Sequence, residues 1–254
     1  MPQIPTLIKE ALPHRAVKYL AVRYDPAVRM HYYTFEGRAI YVSSRDDFSK
    51  EKIIRWLAQN IYFAKYLPRP GDTVIDFGAG YGEEAVYLSN RVPHIRYIGV
   101  EIQPTTFECL SMTFSKLRPE DYVASPCVIS NNDFERLLLT PHYLCSGLTD
   151  DGQIVLPSST WADFRRRYHI TTIDLLKMNI EGAELLLLQS IGDLGLIKNV
   201  IVSCHDFLGR PETMTKQAVS GLLCEQGFQI QTFHHGIQWA DDWLFASRAD
   251  HDSR

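Results

Sequence analysis

The sequence predicts an α/β protein built on a doubly wound, mostly parallel sheet that ends in an antiparallel pair of strands. Segments of strand length alternate with helical segments over residues 71–248. The first strand leads into a glycine-rich turn, TVIDFGAGYG at residues 73–82, and a helix follows directly. The last two segments, 228–233 and 241–248, alternate polar and apolar residues and can close the sheet as an antiparallel pair.

Length and composition fit one such domain with a small appendage. The chain has 254 residues, of which 45% are apolar and 22% charged, as in an ordinary globular protein. We expect residues 1–50 to form a small N-terminal cap and residues 51–254 the main domain. The net charge of −4 argues against a nucleic-acid partner, because phosphate binding needs a basic surface.

Cysteine usage and hydropathy indicate the compartment. The five cysteines are scattered and form no C-x-x-C pair, which favours reduced thiols over disulfides or a zinc site. The N-terminus lacks the apolar core of a signal peptide, and no apolar run reaches the ~18 residues of a membrane span. We therefore expect a cytoplasmic protein without a membrane partner; a homo-oligomer is left open.

The N-terminal cap is predicted to contain a β-hairpin. Residues 28–44, VRMHYYTFEGRAIYVSS, alternate in polarity, and Glu36-Gly37 supplies the turn. A short helix is one interpretation of residues 6–12.

A helix is predicted to join the cap to the first strand of the sheet. Apolar residues recur at helical spacing over residues 50–67, and Ser49 is a candidate N-cap. Pro68 and Pro70 end this helix just before the first strand.

The rest of the chain alternates between strand and helix patterns. Residues 131–157 interrupt this alternation with a short helical stretch and a hairpin that turns at residues 150–152, and such insertions often shape substrate pockets. Ser158 is predicted to cap the helix after the insertion. Helices are predicted at 82–91, 104–117, 158–168, 181–191 and 211–226, and strands at 96–101, 121–130, 173–179 and 196–204.

The glycine turn after the first strand discriminates between ligands. Its glycines recur at every second position from Gly78, whereas a dinucleotide fingerprint would need glycine at Glu83. The carboxylate of Asp76 would repel a pyrophosphate and attract an ammonium or sulfonium group. D-x-G-x-G-x-G is the pattern of S-adenosylmethionine (SAM) methyltransferases, and Glu101 ends the next strand where it can bind both ribose hydroxyls. The alternative is a tight turn that binds nothing.

Several predicted site residues meet at one edge of the sheet. Ligands of doubly wound sheets bind at the carboxyl ends of the strands, which places Asp76, Glu101, Asn179 and His205 around one cleft. Asp76 and the glycine turn would hold the methionine end of SAM, Glu101 the ribose, and Ile102 the adenine. The candidate cofactor-binding residues are therefore Asp76, Gly78, Ala79, Gly80, Glu101, Ile102 and Asn179.

A second motif resembles a known family. IDLLKMNIEGAELLLL, residues 173–188, is similar to the strand–turn–helix signature I-D-L-L-K-I-D-V-E-G-A-E of FkbM-type SAM-dependent methyltransferases. VIDFGAGYG, VEIQPTTFECL and the C-terminal strand pair extend the resemblance over about residues 71–248. The resemblance implies a class I SAM-methyltransferase, Rossmann-like fold and O-methylation of a hydroxyl on a small molecule, sugar, glycan or secondary metabolite. Asn179 departs from the family pattern, which usually has Asp there, so we expect no metal site.

Methyl transfer to an alcohol needs alignment and a group that takes the hydroxyl proton. His205 is the first candidate for this general base, because imidazole titrates near neutrality; the alternative is a histidine hydrogen-bonded at a strand end. Glu181 and Asp206 are further candidates, and an anion at Glu181 would be stabilised near a helix N-terminus. Lys177 is either catalytic or paired with Glu181 or Glu184.

Two function classes follow from these motifs. The first is a SAM-dependent O-methyltransferase, and the second is an inactive methyltransferase-like protein that retains or has lost SAM. Asn179 is the one sequence feature that hints at the second. A dinucleotide oxidoreductase is disfavoured by Asp76 and Glu83.

Overall fold

The computed structural model describes residues 19–118, 120–132, 134–138, 147–148, 152, 154–210 and 213–248. The predicted helix at 6–12 lies outside these residues, as does most of the predicted turn at 150–152. No helix in the described segments is long and apolar enough to cross a bilayer.

The described residues form short strands and helices that alternate along the chain. The strands are Arg23–Asp25 (β1), Met30–Phe35 (β2), Arg38–Val42 (β3), Thr73–Phe77 (β4), Arg96–Val100 (β5), Tyr122–Ser125 (β6), Val128–Ile129 (β7), Phe134–Leu138 (β8), Gly147–Leu148 (β9), Ile154–Ser159 (β10), Leu175–Met178 (β11), Asn199–Ser203 (β12), Phe228–Thr232 (β13) and Trp243–Arg248 (β14). The helices are Glu51–Leu57 (α1), Glu83–Ser89 (α2), Pro104–Ser115 (α3), Trp161–Arg167 (α4), Glu184–Ile191 (α5), Lys216–Glu225 (α6) and Gln238–Asp241 (α7).

The central sheet has seven strands in the order β13-β14-β12-β11-β4-β5-β6. The five strands from β12 to β6 pair in parallel, whereas β14 and β13 are antiparallel to their neighbours. The predicted doubly wound sheet with an antiparallel C-terminal pair is therefore confirmed. The chain builds outward from β4 to β6 and then returns to β11 on the other side of β4. The strand order therefore reverses between β4 and β11, which is the place where sheets of this kind open a crevice for ligands.

Both faces of the central sheet are buried, which explains the nearly continuous apolar runs of its strands. Successive side chains of a strand point to opposite faces. Val74 accordingly joins the apolar cluster that contains the cap, and Ile75 joins the cluster that contains α5 and α6.

The predicted cap hairpin is confirmed as β2 and β3. Glu36 and Gly37 have φ of 49° and 83°, the two positive values that a two-residue type I′ turn requires. Phe35 and Ile40 are fully buried in the same apolar cluster as Val74 of the main sheet. The cap therefore shares a core with the main domain, and the proposed boundary at residue 50 stays a prediction. The three-residue strand β1, which pairs with β2, has no recognisable sequence pattern.

The insertion forms a second small sheet in the order β7-β10-β8-β9. The short helix predicted within 131–157 is wrong, because residues 134–138 form β8 instead and pair with β10. A helix of so few residues is marginal alone, whereas β10 offers strand hydrogen bonds. The predicted cap Ser158 is also wrong. It belongs to β10, and Thr160 caps α4 by accepting from the Asp163 N–H at 3.2 Å.

The boundaries of three predicted helices shift. Lys50 rather than Ser49 precedes α1, which ends at Leu57 and continues as a π-helical turn at Ala58–Tyr62. Helix α6 begins at Lys216 rather than near residue 211. Helix α5 begins at Glu184 rather than 181, because Glu181 and Gly182 have positive φ of 54° and 99°.

The turns that follow β4 and β11 are in van der Waals contact. The Asn179 N–H donates to the Phe77 carbonyl at 2.9 Å. A Cβ on Gly78 would lie 2.0 Å from the Asn179 carbonyl oxygen, and Gly78 has a φ of 77°. Both the close approach and the left-handed backbone require glycine at this position.

We predict that Gly78→Ala destabilises the protein by at least about 2 kcal/mol, because it adds a left-handed alanine and a backbone overlap. Gly221→Ala is the matched control: Gly221 is exposed in α6, with no heavy atom within 4 Å of the added Cβ. This control should be neutral or up to about 1 kcal/mol stabilising. Urea unfolding of both variants measures the difference, and equal effects would contradict the packing of the two turns.

Candidate active site

A cleft of about 640 Å³ opens at the carboxyl ends of β4, β5 and β11. Gly78, Glu101 and Asn179, which directly follow these strands, all line it. This is the edge at which parallel α/β sheets bind ligands, and the volume lies within the range of small-molecule sites. The remaining walls come from α1, the insertion and α5.

The glycine turn is fixed to the neighbouring strand. The N–H groups of Gly78 and Ala79 donate to the Val100 carbonyl at 2.9 and 3.1 Å. Gly80 also has a positive φ, 54°, and no heavy atom lies within 4 Å of the position of an added Cβ. The backbone at Gly80 is therefore open for close approach by a ligand in the cleft.

Glu101 is held at the end of β5 by backbone donors. One carboxylate oxygen accepts from the Gly80 N–H at 3.1 Å, and the other accepts from the Gln103 N–H at 2.9 Å. Burial outweighs these donors and raises the pKa of Glu101 to about 7. Each oxygen keeps a lone pair that can accept from a ligand hydroxyl.

The structure separates the predicted cofactor residues into two groups. Asp76 does not line the cleft: its side chain is fully buried and accepts from the Lys177 ammonium at 2.7 Å and from the Tyr97 hydroxyl. Strand alternation points residue 76 to the sheet face opposite Phe77, which lines the cleft. Direct contact of Asp76 with a ligand stays a prediction. The other six predicted residues line the cleft, namely Gly78, Ala79, Gly80, Glu101, Ile102 and Asn179.

Lys177 belongs to a buried ion pair and is not exposed to the cleft. Its ammonium is 2.7 Å from Asp76 and 3.7 Å from Glu84, and it lies 5.1 Å from the ring centroid of Tyr62. Burial lowers the pKa of Lys177, but Asp76 and Glu84 raise it more, so the pKa stays above its usual value. The predicted pairing with Glu181 or Glu184 is wrong, because Lys177 pairs with Asp76 and Glu84. The buried pair joins neighbouring strands, and a catalytic role of Lys177 stays a prediction.

Two adjacent glutamates at the start of α2 line the cleft. Burial raises the pKa of Glu84 to about 7 and that of Glu83 above its usual value. The Tyr33 hydroxyl of the cap donates to Glu83 at 2.7 Å. Sequence reasoning used Glu83 only to exclude dinucleotides and missed Glu84 and Tyr62. The signal available was the pair of acidic residues directly after the glycine turn.

His205 is held between two carboxylates. Its Nδ1 lies 2.9 Å from Glu184 Oε1, and its Nε2 lies 3.3 Å from Glu181 Oε1. Burial lowers the pKa of His205, but Glu181 and Glu184 raise it more, to about 9. Both carboxylates favour the protonated imidazole, and His205 is not among the described residues that line the cleft. The role of His205 as general base stays a prediction.

The remaining base candidates differ in position. Asp206 caps α6, because its carboxylate accepts from the Lys216 N–H at 3.1 Å, and it does not line the described cleft. Glu181 does line the cleft, and its backbone is left-handed with a φ of 54°. Such strain in a residue other than glycine persists where the surroundings fix it, and His205 provides the contact.

The family model of the methyltransferase FkbM domain matches residues 76–230. The chain belongs to the FkbM methyltransferase family. No curated protein matches the chain significantly in sequence.

Two solved structures show the same fold as this FkbM-family chain. The methyltransferase FkbM from Methylobacillus flagellatus KT is 16% identical with a TM-score of 0.50, over 75% of this chain and 47% of that one. A chain of a fibrillarin/Nop5p complex is 14% identical with a TM-score of 0.50, over 91% of this chain and 98% of that one. The chain thus spans about half the length of the Methylobacillus protein.

The charged residues of the FkbM signature form buried ion pairs in this structure. Lys177 neutralises Asp76 below the glycine turn, and Glu184 fixes His205. The Glu184 side chain is fully buried and also accepts from the Gly182 N–H at 3.0 Å and the Thr215 hydroxyl at 3.2 Å. Within the described residues, no group of three or more His, Cys, Asp or Glu side chains is arranged to hold a metal ion.

We predict that His205 contributes stability that depends on pH. Because its folded pKa of about 9 exceeds the ordinary 6.5, this contribution is complete below pH 6.5 and is lost as the pH rises through about 9. Its size is on the order of 1–3 kcal/mol. Urea unfolding of wild type and His205→Asn over this range measures it, with the exposed His234→Asn as control.

NMR titration of the His205 ring gives a second measurement, and Glu184→Gln should lower its pKa. A ring that titrates at an ordinary histidine value would contradict the two-carboxylate arrangement.

Proposed function

We propose that the protein binds SAM in this cleft and transfers its methyl group to a hydroxyl of a small molecule or glycan. The observation that carries the proposal is the junction between the glycine turn and Glu101. The Gly80 backbone is open to the cleft, and its N–H fixes a carboxylate that retains acceptor capacity. We also propose a cytoplasmic enzyme of secondary metabolism.

The nucleoside part of SAM fits the side of the cleft next to β5. Glu101 would accept hydrogen bonds from the ribose hydroxyls. Ile102 and Val128 line the cleft and belong to one small apolar cluster, so they supply an apolar surface for the adenine ring. Because the cluster is formed by the insertion and the segment after β5, the two units of the fold would share the nucleoside.

The methionine part of SAM fits the side next to the glycine turn. Its ammonium and sulfonium are cationic. Glu83 and Glu84, which directly follow the glycine turn, line the cleft. Asp76 supports this region from below, because it accepts hydrogen bonds from Lys177 and Tyr97 under the turn. The positive charges of the cofactor thus meet the carboxylates that the structure buries here.

SAM, when bound, supplies a methyl group on a sulfonium, and S-adenosylhomocysteine leaves as a neutral thioether when the methyl–sulfur bond breaks. Glu181 would accept a hydrogen bond from the acceptor hydroxyl and take its proton as the oxygen–methyl bond forms. His205, fixed by Glu184, would keep the Glu181 carboxylate in place. Apolar lining residues such as Leu57 and Leu187 would exclude water.

We predict that SAM binds with a Kd on the order of micromolar. Glu101→Gln removes charge-assisted acceptors of the ribose and should weaken SAM binding roughly 10- to 150-fold. Glu108→Gln, an exposed glutamate on α3, is the matched control and should leave the Kd unchanged. Calorimetric titration measures all three proteins. Absence of SAM binding to the wild type would refute the proposed function.

Glu181→Gln should lower methyl transfer roughly 10²–10⁴-fold, because the amide cannot take the acceptor proton. The Kd for SAM should stay within about twofold, since Glu181 acts on the acceptor rather than the cofactor. Transfer from radiolabelled SAM measures turnover with an acceptor that the wild type methylates, and exposed Glu225→Gln is the control. Turnover within a few-fold of wild type would remove Glu181 as the base and leave SAM binding untouched.

A further inference from the structure

We propose that the methyl acceptor is a hydroxylated amine: an apolar body that carries an ammonium group in addition to the hydroxyl to be methylated. This inference rests on the proposed function and names the chemical class of its second substrate. Four features of the cleft carry it: the sign of its charged lining, the pairing of two cations behind it, the charge of the cofactor and the apolar part of the opening.

The charged lining of the cleft has one sign. No lysine, arginine or histidine is among the described residues that line it. The lining contains glutamates on separate parts of the chain, which lie at the start of α2, after β5, in β8 and after β11. These glutamates are Glu83, Glu84, Glu101, Glu135 and Glu181.

Two cations behind this lining are each held between two carboxylates. Lys177 lies between Asp76 and Glu84, and its side chain is only 2% exposed. His205 lies in the same way between Glu181 and Glu184. Each cation has one acidic partner in the protein interior and another that lines the cleft. Neither therefore leaves a positive charge for a ligand.

SAM accounts for only part of this negative charge. Its ammonium and carboxylate balance each other, so the sulfonium leaves one net positive charge. A phosphorylated or carboxylated acceptor would place a further anion beside partly buried glutamates, where like charges repel strongly. An ammonium on the acceptor has the opposite effect. The charge of the lining thus distinguishes acceptors that share the same hydroxyl.

Part of the opening of the cleft is apolar, beside the exposed polar residues Asn131 and Asn132. Ile53 of α1 and Leu186 of α5 line it and are 48% and 63% exposed. The side chains of Glu84 and Glu181 are only 13% and 19% exposed, so they lie deeper. A ligand with an apolar body and an ammonium group fits this arrangement. The body contacts the apolar residues at the opening, and the ammonium reaches the deeper glutamates.

Burial of the glutamates couples cation binding to protons. Burial raises the pKa of Glu84 and of Glu101 to about 7, and a bound cation favours their ionised forms. An ammonium ligand should therefore release protons when it binds near neutral pH. An anionic ligand should take them up.

Three small phenols test the proposal, because they share the ring and hydroxyl and differ in charge. Tyramine carries an ammonium, 4-ethylphenol is neutral, and 4-hydroxyphenylacetate carries a carboxylate. Protein saturated with S-adenosylhomocysteine is titrated with each probe by ligand-observed NMR. We expect tyramine to bind roughly tenfold or more tightly than 4-hydroxyphenylacetate, with 4-ethylphenol between them.

Variants locate the effect in the cleft. Glu181→Gln should reduce the preference for tyramine over 4-ethylphenol several-fold, whereas exposed Glu225→Gln should not change it. Calorimetry in buffers of different ionisation enthalpy should show proton release with tyramine. Equal or tighter binding of 4-hydroxyphenylacetate would overturn the proposal, as would absence of tyramine binding. Separate titration with S-adenosylhomocysteine shows whether cofactor binding, and with it the proposed function, has failed instead.

Discussion

The buried ion pair between Asp76 and Lys177 is the interaction on which the site depends. The two residues are direct partners in the parallel pairing of β4 and β11. The order in which strands are added to the sheet reverses between these two strands. Asp76 also accepts from Tyr97 of β5, and Lys177 reaches Glu84 of α2. One pair therefore connects three strands and a helix below the glycine turn. Removing Lys177 would leave Asp76 as a buried charge without a cation, a loss of about 3–5 kcal/mol.

The same arrangement recurs on the other side of β11. His205 stands between Glu184 and Glu181, as Lys177 stands between Asp76 and Glu84. In both cases an interior carboxylate fixes the cation, and the cation steadies a second carboxylate that lines the cleft. The FkbM signature supplies residues to both groups from one strand–turn–helix segment. Lys177 and Glu184 of this signature thus help to position the glutamates that line the cleft, Glu84 and Glu181.

Local patterns were enough to predict the sheet and the glycine turn, because alternation, turn glycines and apolar runs act over a few residues. They also placed Glu101 and Asn179 correctly at the cleft. They failed where distant segments decide the role of a side chain. The sequence around Asp76 does not reveal Lys177, which comes 101 residues later. The sequence around His205 likewise does not reveal that Glu181 and Glu184 contact its ring.

The acidic cleft carries a cost in stability that a cationic ligand offsets. Because the folded pKa values of Glu84 and Glu101 lie near 7, above the ordinary 4.5, the folded protein binds more protons than the unfolded chain between these values. Stability from these groups is therefore present at low pH and lost as the pH rises through about 7. Binding of cations restores it by stabilising the ionised carboxylates. Partial burial of these glutamates thus favours the binding of positive ligands. The same burial lowers the stability of the ligand-free protein near neutral pH.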